Sequence, residues 1–257
     1  MLYFVHLHYL TIMKLVSIII PYYKNIEFIE KTIDSILNQT YQNFEVIIIY
    51  DDENQNDLRV IKQLIYNQNK IKLIINKKNI GAGPSRNVGI LNANGDYIAF
   101  IDSDDYWDSD KLTVQLNFML NQNIDFTHTS YKIVDEKGKI KGYRKAKNFL
   151  HFKELLKSCD IGLSTIIIKK SLLATNRFPD LKTKEDFVLW LILLKQGNKI
   201  YSIAKNLTYW RKSKNSLSSN IYQKIIDGYS VYKDYMKMST FKSILYLLLL
   251  SINSFRK

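Results

Sequence analysis

Four short apolar runs rich in β-branched residues punctuate the first half of the chain: Leu15 to Ile20, Val46 to Ile49, Ile71 to Ile75 and Tyr97 to Ile101. A strand with one face in water alternates apolar and polar residues, whereas an unbroken apolar run marks a strand buried on both faces. Between the runs lie segments of helical period. Ile26, Ile29, Ile33, Ile36 and Leu37 form one apolar stripe, with Asn25 placed to cap it. Leu58 to Tyr66 is a second helix, and Pro84 suits the first turn of a third running toward Leu91. Repeated strand–helix units imply right-handed crossovers and a parallel sheet covered by helices. Residues 15–120 read as α/β.

The rest of the chain is mixed. Phe126 to Val134 reads as a strand, followed by a turn at Lys137-Gly138 and a basic segment. Thr165 to Ile168 and Leu207 to Trp210 read as further strands, Asp186 to Gln196 as an apolar helix, and helices are expected from Ile221 onward. We divide the chain into residues 15–120 and 121–220, two halves of one domain, and a helical, basic and apolar tail at 221–257. Residues 1–14 form an N-terminal extension. It lacks the basic start of a signal peptide, and Met13 stands directly before the first strand, so residues 1–12 are expected to lie upstream of the natural start.

Composition narrows the function classes. With one cysteine, Cys159, an internal disulfide framework and any multi-cysteine metal site are excluded, and a cytoplasmic setting is expected. His128 and His151 have no second ligand at metal-site spacing. The balance of 37 Lys+Arg against 24 Asp+Glu, net +13, suits an acidic partner: nucleic acid, an anionic membrane surface or a phosphorylated small molecule. Dispersed lysine in a chain rich in Ile and Asn is equally what codon bias produces. No apolar run reaches the roughly 18 residues of a membrane span. Phe241 to Ile252, flanked by Lys237, Lys242, Arg256 and Lys257, suits either a helix lying among lipid headgroups or one docked on the protein.

Ligands of open parallel sheets bind beyond the carboxyl ends of the strands. The residues that follow the four runs are Pro21-Tyr22-Tyr23, Asp51-Asp52, Asn79 to Asn87 and Asp102-Ser103-Asp104-Asp105. Polar, acidic and glycine-rich residues thus gather at one edge. Asp102-x-Asp104 offers hard oxygen ligands suited to Mg²⁺ or Mn²⁺, although in isolation such a pair is also ordinary turn chemistry. Gly81 to Asn87 suits an anion at a helix N-terminus. It has neither the Walker spacing nor a Gly-x-Gly-x-x-Gly after the first strand, which disfavours a P-loop nucleotidase and a dinucleotide-binding domain.

The ordered set Val16 to Pro21, Gln39-Thr40-Tyr41, Phe44-Glu45-Val46, Asp51-Asp52, Asn79-x-Gly81, Arg86-Asn87-x-Gly89 and Gly95-Asp96-Tyr97 through Asp105 resembles the family-2 glycosyltransferases. The resemblance is dense over residues 15–115 and thinner to about 220. It implies a GT-A fold: a mostly parallel central sheet flanked by helices, with a mixed acceptor-side half. It also implies an inverting transfer of one sugar from a nucleotide-sugar donor, by preference a UDP-sugar, to a hydroxyl of a glycan or lipid-linked glycan.

Position by position, Pro21 and Tyr23 resemble the residues flanking the nucleobase, and Asp52 the carboxylate accepting its imide proton. Arg86 resembles the basic residue near the diphosphate. Asp102, Ser103 and Asp104 resemble the family's metal and donor motif, with Asp104 the direct metal ligand. Lys184-Glu185-Asp186-Phe187 resembles the Glu-Asp motif that places Asp186 as catalytic base. Tyr209-Trp-Arg211 followed by Ser216-Leu-Ser218 resembles the segment closing over the diphosphate. Asp51 to Asp57 departs from the family's usual Asp-Asp-Gly-Ser-Thr-Asp, so that turn is expected to differ. Trp107 is the candidate sugar-stacking platform.

These features place the enzyme in the cytoplasm or on the inner face of the plasma membrane, with a glycan acceptor and no nucleic-acid partner. A metal-dependent nucleotidyltransferase and a basic nucleic-acid-binding protein are the competing readings.

Overall fold

The computed structural model describes residues 14–212 and 221–255. Residues 1–12, the Ser216-Leu-Ser218 segment, and Arg256 and Lys257 lie outside the described residues. In the first half, β1 (Val16–Tyr22), α1 (Ile26–Leu37), β2 (Phe44–Tyr50), α2 (Leu58–Leu64), β3 (Ile71–Ile75), α3 (Ala82–Asn92) and β4 (Tyr97–Phe100) follow one another in chain order. β1 pairs in parallel with β2 and with β4, and β2 in parallel with β3. The spatial order β3-β2-β1-β4 reverses at β1, so a crevice opens beyond the carboxyl ends of β1 and β4.

The runs in β1, β2 and β4 are buried, whereas β3, the edge strand, is only partly covered, with Lys72 and Ile75 exposed. Ile18, Ile20, Val46 and Ile48 enter one layer with Ile29, Ile33 and Ile36 of α1, while Ile19, Ile47, Ile49 and Phe100 enter the opposite layer. Burying each such side chain contributes about 1.5–3 kcal/mol, which makes these layers the main determinant of where the sheet sits. β1 and β2 outrun the predicted runs because their ladder continues through Pro21–Ile49 and Tyr22–Tyr50, whose tyrosine rings stack at 5.3 Å. Asn25 does not cap α1 with its side chain, as the sequence suggested; its amide donates instead to Ser103 Oγ at 2.9 Å.

The second half comprises β5 (Tyr106–Trp107), α4 (Lys111–Gln122), β6 (Phe126–Val134), β7 (Ile140–Arg144), α5 (Phe152–Leu155), β8 (Ile167–Lys169), α6 (Glu185–Lys195) and β9 (Tyr201–Arg211). β8 runs antiparallel between β4 and β6, β9 lies parallel to β6, and β5 closes the far edge against β9. One mixed sheet thus carries both halves. Two expectations are corrected. Leu163–Thr165 is a 3₁₀ turn, with Thr165 Oγ1 donating to the Gly162 carbonyl, so the strand starts at Ile167. The basic segment after Gly138 is a strand, β7, paired as a hairpin with β6.

Two helices, α7 (Ile221–Ser230) and α8 (Thr240–Phe255), follow. Tyr246, Leu247 and Leu250 of α8 pack on the core, yet both helices also carry apolar residues outward. Asp227, Gly228 and Ser243 face inward, while Ile221, Tyr222, Ile225 and Ile226 of α7 and Phe241, Ile244, Leu245, Leu248 and Ile252 of α8 are exposed. Among the described residues no helix is long and apolar enough to cross a membrane.

Candidate active site

The crevice is floored by residues that hold loops in place. Asp51, at the end of β2, accepts from the backbone N–H groups of Ile80 and Gly81 at 2.9 and 2.8 Å and from Asn76 Nδ2 at 2.8 Å. It thereby pins the loop into α3, where Gly81 has a φ of +88°, in the left-handed region that favours glycine. Asp52, beside it, is buried and accepts from the Asn54 N–H at 3.2 Å. The turn after it does differ from the family pattern: it contains no glycine, and Gln55 takes a φ of +52°. Pro21 is half-buried and Tyr23 exposed at the adjacent end of β1. Pro21, Tyr23 and Asp52 thus stand on two neighbouring strand ends.

The acidic loop after β4 is braced from several directions. Thr32 Oγ1 of α1 reaches the carbonyls of Ser103 and Asp105 at 3.0 and 2.6 Å. Asp105 is fully buried, accepting from Ser164 Oγ at 2.5 Å and from the Arg211 N–H at 2.8 Å. Asp105 is therefore a structural anchor, and burial together with Asp104 and Asp102 pushes its carboxyl well above the usual range. Ser103 is buried too, which leaves Asp102 and Asp104 as the carboxylates on the accessible side of the loop.

Arg86 joins this loop to a remote part of the chain. It is buried, with Nη2 donating to Asp102 Oδ1 at 2.7 Å and Nη1 to Glu185 Oε1 at 2.5 Å. The guanidinium fork bridges two carboxylates that a lysine ammonium could not hold in this geometry. The two acids hold its charge more firmly than usual, against the opposing effect of burial. Asp186 follows Glu185 at the start of α6 and remains half-buried. Burial first, then the neighbouring Glu185 charge, raises its carboxyl to about 7.

Arg211 ends β9 over the same loop. Its Nε donates to the Asp104 carbonyl at 2.8 Å and its Nη1 to the carbonyls of Asp135 and Glu136 at 3.1 and 2.6 Å. Its charge also lies 4.3 Å from the Phe28 ring centroid. Trp107 is a correction: it is buried, its indole N–H donates to the Ser164 carbonyl at 2.8 Å, and the Lys111 ammonium sits 4.2 Å from its ring. A side chain so enclosed offers no face to a sugar. His128 is a core residue, its Nε2 bonded to the Lys147 carbonyl at 2.8 Å and its pKa lowered by burial to about 4.

The site gathers Asp102, Asp104, Asp105, Glu185 and Asp186 around two guanidinium groups, so carboxylates outnumber fixed cations. Burial and the Asp102 charge raise Asp104 to about 7. A divalent cation on hard oxygen ligands would relieve that repulsion, and Asp104 with Asp102 fits the role. Sequence reading named all of these acids but gave no separate part to Asp105 or Glu185, nor any to Thr32 and Ser164. Their partners are too distant along the chain for spacing to reveal.

The fold is of the GT-A type. The sequence pattern described as "Glycosyl transferase family 2" matches residues 17–174, and the chain belongs to that family. It is 36% identical over 224 residues, 87% of each chain, to the Escherichia coli protein WfgD, named UDP-Glc:alpha-D-GlcNAc-diphosphoundecaprenol beta-1,3-glucosyltransferase. Among solved structures, S. aureus TarS 1-349 with UDP-GlcNAc superposes with a TM-score of 0.72 at 23% identity, covering 94% of this chain and 72% of that one. The mannosyltransferase PcManGT from Pyrobaculum calidifontis, with GDP-Man and Mn²⁺, gives 0.67 at 13% identity, covering 93% and 72%. The protein is a glycosyltransferase.

Proposed function

We propose that the protein transfers one hexosyl residue, with inversion, from a UDP-sugar to a hydroxyl of a lipid-linked glycan. The observation that carries this reading is the Asp102–Arg86–Glu185 bridge, which brings the acidic loop and the residue beside Asp186 into one site. Pro21 and Tyr23 flank the nucleobase, and Asp52 accepts its imide N–H. Asp104 and Asp102 would hold Mn²⁺ or Mg²⁺, which would supply positive charge against the departing diphosphate. Arg86 holds Asp102 in place through their 2.7 Å ion pair. Arg211 holds the loop carbonyl at Asp104 and adds positive charge over the leaving group. Asp186 takes the proton of the acceptor hydroxyl as its oxygen attacks the anomeric carbon from the face opposite the diphosphate.

The acceptor class rests on the E. coli relative, whose name specifies a diphosphoundecaprenol-linked GlcNAc. It is supported by the outward apolar faces of α7 and α8 beside Lys224, Lys233, Lys237 and Lys242, which suit an anionic lipid surface. The enzyme accordingly works at the inner face of the plasma membrane.

The test is release of nucleoside diphosphate from a panel of UDP-, GDP- and dTDP-sugars, with Mn²⁺ and then with EDTA. Metal-dependent turnover of one UDP-sugar, stimulated by a lipid-linked GlcNAc acceptor, is expected. Release of pyrophosphate, or equal turnover with EDTA, would contradict it.

A further inference from the structure

A buried carboxylate outside the motifs described above ties α7 to the turn that starts α6. Asp227 of α7 is 3% exposed. Its Oδ2 accepts from both the backbone N–H and the hydroxyl of Thr183, each at 2.8 Å, and its Oδ1 accepts from Gln223 Nε2 at 2.9 Å. A carboxylate taken out of water is tolerated only when so satisfied, and an amphipathic helix needs none for packing. Two of these three hydrogen bonds come from one residue of a loop 44 positions away.

That loop carries the base. Thr183 immediately precedes Lys184, which has φ +66° and ψ 15°, a left-handed conformation in a residue with a side chain. Such a conformation persists where the surroundings impose it, and it gathers at functional sites. Asp227 fixes Thr183 on one side of this turn and the Lys184 carbonyl accepts from the Val188 N–H at 3.1 Å on the other, while Gly228 leaves room for Leu247, whose Cδ1 an added Cβ would approach to 2.8 Å. The left-handed turn then starts α6, delivering Glu185 to Arg86 and Asp186 to the crevice.

We propose that Asp227 is a positioning residue for glycosyl transfer: through Thr183 it holds the turn at Lys184 and so the aim of Asp186. The proposal rests on Asp186 being the base. Misplacing a reacting group by about 1 Å lowers rates by up to about 100-fold, so Asp227→Ala is expected to lower kcat about 10- to 100-fold. Donor affinity falls by less than kcat, because the turn reaches the donor residues only through Glu185 and Arg86. Asp227→Asn keeps an acceptor oxygen and recovers most of the rate. Thr183→Ser keeps both donors and behaves as wild type.

The decisive comparison is the double-mutant cycle with Asp186→Asn. Asp227→Ala should lower the residual rate of Asp186→Asn no further. A folded Asp227→Ala with wild-type kcat, or an equal fractional loss in both backgrounds, overturns the proposal. If Asp227→Ala does not fold, Thr183→Val, which removes only the hydroxyl donor, takes its place in the same cycle with an expected loss of several-fold, and wild-type kcat there overturns it. Wild-type turnover in Asp186→Asn alone would instead remove the base, and this proposal with it.

Discussion

Asp104 and Asp186 are both held near 7 by burial and by a neighbouring carboxylate, Asp102 in one case and Glu185 in the other. The shift has opposite uses. At Asp104 it stores repulsion that a cation relieves, so Asp104→Ala should abolish Mn²⁺-dependent binding of UDP; calorimetry showing unchanged affinity would remove the metal assignment. At Asp186 it makes a stronger base that is ready near neutrality. Because only the carboxylate accepts a proton, kcat should be level above about pH 7 and fall about tenfold per unit below it. A profile flat from pH 5 to 8 would contradict that assignment. Position after the fourth strand was enough to single out Asp104, whereas Asp186 was named only through resemblance to the family's Glu-Asp motif. The part played by Arg86 was not readable in the same way, since its two partners lie 16 and 99 positions away and only the fold brings them together.

At the scale of elements, several motif residues that look chemical are joints. Gln39 Nε2 donates to the Asp108 carbonyl at 2.8 Å while its Oε1 accepts from the Leu112 N–H at 3.0 Å, fastening the end of α1 to the start of α4. Glu45 gathers Ser17 Oγ and the Asn94 N–H at the sheet edge away from the crevice. Gly89 lets α3 lie against β1, where an added Cβ would collide with the Ile19 side chain. Gly89→Ala should therefore destabilise the protein by about 1–3 kcal/mol, read as a lowered denaturation midpoint with unchanged donor contacts. An unchanged midpoint would mean that α3 is free to shift.

The buried strands were legible because both faces impose the same apolar demand. β5 and β7 were not, being a two-residue edge strand and a half-exposed hairpin arm whose polar residues carry no period. In α7 and α8 the sequence showed that apolar residues were present, but not that many of them point outward. With Phe241 78% and Leu248 56% exposed, the double variant Phe241→Glu/Leu248→Glu should stay folded and lose flotation with phosphatidylglycerol vesicles. Retained flotation would move the lipid contact elsewhere.

For the whole molecule, the single mixed sheet is what makes one site out of two halves. β4 supplies the acidic loop, β8 and β6 continue the sheet, and β9 returns to lay Arg211 over Asp104 and Asp105. The strand ends of the first half follow hydrophobic runs that predict them, whereas the second half, with α6 and the helices packed behind it, is read least easily from periodicity alone.

The central claim is that Asp186 is the base of an inverting sugar transfer. It is tested most directly by comparing Asp186→Asn with wild type, measuring turnover and donor affinity on the same preparations. The account predicts a fall in kcat of at least about 100-fold with donor affinity nearly intact. Unchanged turnover, or an equal loss of affinity and turnover, would contradict it.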